Sequence, residues 1–166
     1  GLDYDSFNGK ITLKPVDAVT ITPTLTYSVF EGDYDADAFN DASNTFSLDL
    51  FNPGVQLAVE NGNWNVQGGY NFTETQRIFS DEYGDNEFEG RLHNADVYAT
   101  YKTGDFIQLL GGLNYQHSLL PGDDEISAQT VSPYATLLLK NLYGLNAELG
   151  YRLNNHSEYG QNSTLS

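Results

Sequence analysis

Cysteine and methionine are both absent from the 166 residues, and only 7 are Lys or Arg. Without cysteine there are no disulfides, no thiolate metal sites and no thiol nucleophiles. The few basic residues stand against 23 Asp and Glu, leaving a formal charge of -16. A polyanion of that size repels phosphate backbones, so no nucleic-acid partner is expected. No run of about 18 apolar residues occurs, so no helix can cross a membrane, and no segment reads as a signal peptide. Spanning strands stay open, because each needs only about 10 alternating residues. A chain that starts at Gly1 and contains no Met is expected to be processed or a piece of something longer. Its length suits one domain, residues 1–166.

Helical periodicity is nearly absent too. What recurs is strict alternation, the period of a strand with two unlike faces. From Val19 to Val29 the odd positions are apolar or Pro, and the even positions are all hydroxyl residues. Comparable runs are Phe7 to Leu13, Trp64 to Phe72, Ala95 to Tyr101, Ile107 to Tyr115, Pro133 to Leu139 and Leu145 to Leu153. With the segment Phe46 to Val59 they predict an all-β antiparallel up-and-down meander of about eight long strands. Ile11, Leu13, Ile21, Leu25, Val97, Leu109, Leu113, Leu137, Leu149 and Tyr151 are expected to share one face. Leu109 reads as a mid-strand position where a charge would be costly.

One segment departs from this pattern. Phe46, Leu48 and Leu50 are even, whereas Val55, Leu57 and Val59 are odd, with Asn52-Pro53-Gly54 between. A β-bulge there would restore the register; two short strands with a turn at Asn52 to Gly54 are the alternative.

The connections are of two kinds. Tight ones fall at Pro15 to Ala18, Asn61 to Asn63, Thr103 to Asp105 and Asn141 to Gly144, with the residues hairpin turns require. Long polar ones fall at Glu31 to Asn44, Ser80 to Glu87, Leu120 to Ala128 and Asn155 to Gly160. In a meander these alternate between the two ends, so one rim is short and the other long, the pattern of an outer-membrane β-barrel. Trp64, Tyr101, Phe106 and Tyr143 flank the tight turns, and Phe30, Phe72, Phe79, Tyr115 and Tyr159 flank the long loops, as two aromatic girdles would. A soluble β-sandwich binding module also alternates, but its turns come every 8–12 residues rather than roughly every 20. A complete small eight-stranded barrel with a structural or adhesive role fits the length equally well.

Chemistry-bearing residues are sparse. The loop Gly32 to Asp41 sets Asp33, Asp35 and Asp37 at alternate positions with Asp41 beyond, and calcium takes six to eight oxygens from such groups. These four are the candidate metal ligands, although Ala38 and Asn44 depart from an EF-hand and a plain solvated acidic loop is the competing reading. His93, His117 and His156 have no mutual metal spacing. His117-Ser118 and His156-Ser157 point to opposite faces of any strand, so no nucleophile and base pair is formed and no enzyme is expected.

The segments Asp81 to Gly84, Gly90 to Ala99 and Leu109 to Gln116 resemble consecutive barrel strands of TonB-dependent outer-membrane receptors, most closely the cobalamin-receptor-like branch found in Bacteroidetes. Gly144 to Gly160 is similar to a strand and surface loop of the same family. The resemblance implies a central piece of a larger barrel, without plug domain or energy-coupling box, from a transporter for a bulky nutrient such as cobalamin or a metal chelate. It implies outer-membrane lipid, a plug, the remaining barrel strands and an extracellular small-molecule ligand as partners. Glu148 and Arg152, on the wet face, would line the lumen or touch the plug.

Overall fold

The computed structural model describes residues 1–34, 44–122 and 125–166. They form one antiparallel sheet: β1 (Leu2–Lys10), β2 (Leu13–Val16), β3 (Val19–Tyr34), β4 (Asn44–Asn61), β5 (Trp64–Asp81), β6 (Gly84–Thr103), β7 (Ile107–Leu120), β8 (Ile126–Leu142), β9 (Leu145–His156) and β10 (Gly160–Leu165). β1 and β2 lie end to end along β3, and each later strand pairs with the next. The sheet is thus nine strands wide rather than about eight, because the chain turns through Ser157 to Tyr159 and pairs back on β9 from Gly160.

The tight connections fall where the turn residues put them. Gly62 and Gly104 carry φ of 57° and 61°, a conformation that costs a residue without Cβ least. The connections at the opposite end are corrected. Ser80 to Glu87 is not a loop, since β5 runs to Asp81 and β6 restarts at Gly84, so the paired strands themselves extend past the alternating region.

Directly opposed residues share a face, and the ladder Val19–Val59–Val66–Ala99–Gly111–Ala135–Tyr151 can be followed from β3 to β9. Leu13, Ile21, Leu57, Val97 and Leu113 lie on that face, as do Leu109, Leu137 and Leu149. Leu25 follows from its place in β3, and Ile11 falls between β1 and β2.

The ladder also gives the strand tilt. The β9 residue level with Val19 is Tyr151, yet the apolar run of β9 starts at Leu145, beside its tight turn, an offset of 151 − 145 = 6 residues. That is about 20 Å along the strand against about 29 Å across six strand spacings, or a tilt of about 35°. It falls within the range for strands of outer-membrane barrels. Val97 lies midway along the β6 run between His93 and Tyr101, whereas Leu109 is one pair in from the start of β7.

No bulge occurs at Asn52 to Gly54. The β3–β4 register is continuous from Val19↔Val59 to Tyr34↔Asn44, and β4 keeps one register with β5 on both sides of Pro53. Phe46, Leu48 and Leu50 therefore face the polar side. The sequence pattern inverts because the surroundings of the two faces change along one unbroken strand: beyond Phe51 the formerly apolar face carries Asp49, Glu74, Glu87, Glu89 and Arg91. Phe30 and Phe79 are corrected with them, since both lie on the polar face rather than in an outward girdle. Trp64 and Tyr101 do pair on the apolar face, with ring centroids 4.7 Å apart.

Among the described residues no hydrophobic side chain is buried, and the buried ones are Thr22, Ser28, Asn44, Thr100 and Ser132, all polar. Leu57, Val97, Leu113 and Leu149 are 44%, 49%, 42% and 56% exposed. Among the described residues the sheet does not close into a complete small barrel, for β1 and β10 stand at its two ends and pair only with β3 and β9.

Candidate functional site

The polar face has two zones. Opposite the apolar band it is a mesh of neutral hydrogen-bonding groups. The Asn94 amide donates to Asn71 Oδ1 at 3.2 Å, and the Asn114 amide donates to Asn94 Oδ1 at 3.3 Å. The Tyr98 hydroxyl donates to Gln67 Oε1 at 2.7 Å, and Ser132 Oγ donates to Asn154 Oδ1 at 2.8 Å. These cross-strand bonds satisfy side chains that would cost free energy if desolvated alone. Asp96 is a carboxylate within this mesh, and the Tyr134 hydroxyl reaches its two oxygens at 3.1 and 3.3 Å.

Glu148 and Arg152 both lie here, but no ion pair joins them among the described residues. Arg152 Nε donates to Asn154 Oδ1 at 3.0 Å, and its guanidinium stands 5.9 Å from the centre of the Tyr134 ring. Arg152 is thus taken up by Asn154 and Tyr134 rather than by Glu148, which is exposed.

Beyond the band, toward the open ends of β3 to β6, the same face becomes aromatic. One row crosses five strands as Tyr4, Phe30, Leu48, Arg77 and Phe88, and the next runs through Gly32, Phe46 and Phe79. Tyr4 stacks on Phe30 at 4.3 Å, while Phe79 meets Phe88 edge-on at 6.1 Å and Tyr34 at 5.9 Å. Gly32 makes room, for a Cβ there would lie 2.8 Å from the Phe46 ring. Arg77 is exposed within this patch and has no carboxylate partner among the described residues. Such a surface takes a flat or bulky solute through its rings and an anionic group through the guanidinium.

Of the four candidate metal ligands, Asp35, Asp37 and Asp41 lie outside the described residues. Asp33 is at the end of β3, on the face opposite the aromatic patch, and its carboxylate accepts a hydrogen bond from the Gly1 amino group. Among the described residues no three His, Asp or Glu side chains converge as metal ligands. His117 and Ser118 fall on opposite faces, and Ser118 Oγ donates to the Ala128 carbonyl at 3.4 Å.

The aromatic patch was hidden by reading Phe46, Leu48 and Leu50 as shifted members of the apolar face. A usable signal was present: Phe30, Phe46 and Phe88 are all even, like the wet positions beside them.

The sheet superposes on the crystal structure of the siderophore receptor PirA from Acinetobacter baumannii with a TM-score of 0.76 and 14% sequence identity, over 98% of this chain and 30% of that one. The chain has the fold of part of a receptor barrel. It spans 30% of the length of that receptor. No protein-family model and no curated protein sequence matches the chain.

Proposed function

We propose that the chain is a stretch of barrel wall from a TonB-dependent receptor of the bacterial outer membrane, which imports a bulky nutrient such as cobalamin or a metal chelate. The observation that carries this reading is the inverted distribution of side chains, with large apolar groups exposed in a continuous band across one face and polar groups buried on the other. In water such a face would need a second layer. In a bilayer it needs only lipid, while the polar face lines a wet lumen or a plug domain.

The tilt of about 35° and apolar runs close to the 9–11 residues needed per spanning strand support the same reading. The long-strand rim then points to the cell exterior. There the aromatic patch and Arg77 would meet a ligand before it reaches the plug, and an anionic chelate with aromatic groups suits both. The unpaired outer edges of β1 and β10 would be completed by the remaining strands of the same barrel, because open edges in lipid leave backbone groups unsatisfied. The sequence resemblance to cobalamin receptors of Bacteroidetes supports a vitamin cargo, and the structural likeness to a siderophore receptor supports a metal chelate.

Uptake of labelled cobalamin and of a labelled ferric chelate by cells with and without the gene tests the assignment. One of the two should be lost on deletion and restored by the full-length gene. Unchanged uptake of both would contradict it. In the restored strain, the double replacement Arg77→Ala with Phe79→Ser should weaken ligand binding at least about tenfold while the barrel still assembles.

A further inference from the structure

His93 and His117 are far apart in sequence, yet the β6–β7 register sets them directly opposite one another on the apolar face. Their ring centroids are 5.9 Å apart with an interplanar angle of 20°. We propose that this cross-strand pair binds one borderline transition-metal ion, of the class of Cu2+, Ni2+ or Zn2+, between its two free ring nitrogens.

Three observations point to this site. The spacing is within reach of a shared ion: metal–nitrogen bonds of about 2.0–2.1 Å put each ring centroid about 3 Å from the ion, so two rings at ligand angles of about 90–110° stand about 4–5 Å apart, and the 5.9 Å pair closes by about 1 Å on binding. The rings are stacked side by side, and rotation about their side-chain torsions turns one nitrogen of each toward the ion. Second, His93 is already oriented, because its Nδ1 lies 2.8 Å from the Tyr70 hydroxyl and its ring is 4.9 Å from Phe72. With Nδ1–H donating to the Tyr70 oxygen, the Nε2 lone pair is left for a metal, the usual outer-shell arrangement of a ligating histidine.

Third, the local charge admits a cation. The nearest basic residue, Arg91, is held by Glu74 at 3.2 Å and by Glu89, and the face beyond also carries Asp49 and Glu87. The pair sits where the apolar band gives way to this charged zone, at headgroup level by the orientation proposed above. Water can then fill the remaining coordination positions, which a two-residue site requires. Imidazole ligands select copper, nickel and zinc over calcium or magnesium. The ion would pin β6 to β7 at the upper margin of the band.

The test is Cu2+ binding to the full-length protein in detergent, read by titration and by electron paramagnetic resonance. Wild type should bind one Cu2+ whose spectrum shows coupling to two imidazole nitrogens. His93→Asn and His117→Asn, which keep polar groups of similar size, should each weaken this site at least about tenfold and leave a single coupled nitrogen. Tyr70→Phe should weaken it less and keep both couplings. Heat-modifiable migration on gels confirms that each variant is a folded barrel. A two-nitrogen spectrum and affinity unchanged in both His variants, or a wild type that shows no two-nitrogen site, would overturn the proposal. Failure of the transport assignment would not touch this result, since metal binding is read without transport.

Discussion

The Tyr134 hydroxyl on β8 donates to the Asp96 carboxylate on β6, 3.1 Å away, across the full width of β7. The reach is possible because Gly112 lies between them, paired with Tyr98 on one side and Tyr134 on the other. A Cβ at Gly112 would stand 2.5 Å from the Tyr134 ring and 2.8 Å from Tyr98 Cβ. Gly112→Ala should therefore push Tyr134 off the glycine, strip Asp96 of its partner and cost about 1–3 kcal/mol. Gly68→Ala on the opposite face meets only ordinary contacts at 3.7 and 3.8 Å and should be neutral or slightly stabilising. Urea unfolding in lipid vesicles compares the two, and equal effects would refute the role given to Gly112.

Depth along the apolar face sets the cost of a charge. Val97→Arg, mid-band on β6, should destabilise the barrel by about 2–4 kcal/mol, and Leu109→Arg, nearer the tight-turn rim, by less. Gln116→Arg, exposed on the polar face, should cost little. The same unfolding measurement ranks them, and a Gln116 variant as damaging as the Val97 variant would mean that the faces are assigned the wrong way round.

In the intact barrel both edges are predicted to be paired. Amide hydrogen exchange followed by mass spectrometry should then show Leu2–Lys10 and Gly160–Leu165 protected to the same order as β5. Rapid exchange at both edges in the full-length protein would show that no neighbouring strand covers them.

Much of this architecture is legible in the sequence because strand parity is a local property: Val19 to Val29 declares its two faces without reference to any other strand. Environment is not local. The parity change at Asn52 to Gly54 is equally consistent with a bulge and with a strand leaving the membrane, and only the unbroken β3–β4 register separates the two. The His93–His117 pairing was hidden for a different reason, since it depends on how β6 meets β7. It was still recoverable in principle: once the turn pairs Thr103 with Ile107, residues whose numbers sum to 210 are opposed, as 93 and 117 are. The ninth strand was missed because Gly160 to Leu165 has no apolar alternation to announce it.

These 166 residues hold no cysteine, so once any cysteine elsewhere in the full-length protein is replaced the central claim is directly measurable. Single cysteines at Val97, Leu113 and Leu137 on the apolar face, and at Asn94, Gln116 and Thr136 on the polar face, can be introduced into the full-length protein in lipid vesicles. The account predicts that the first three resist a charged, water-soluble maleimide and, when carrying a fluorophore, are quenched by brominated lipid, whereas the second three react with the maleimide and are not quenched. Maleimide labelling of both sets alike, with no lipid quenching at Val97 or Leu113, would contradict a membrane-facing wall.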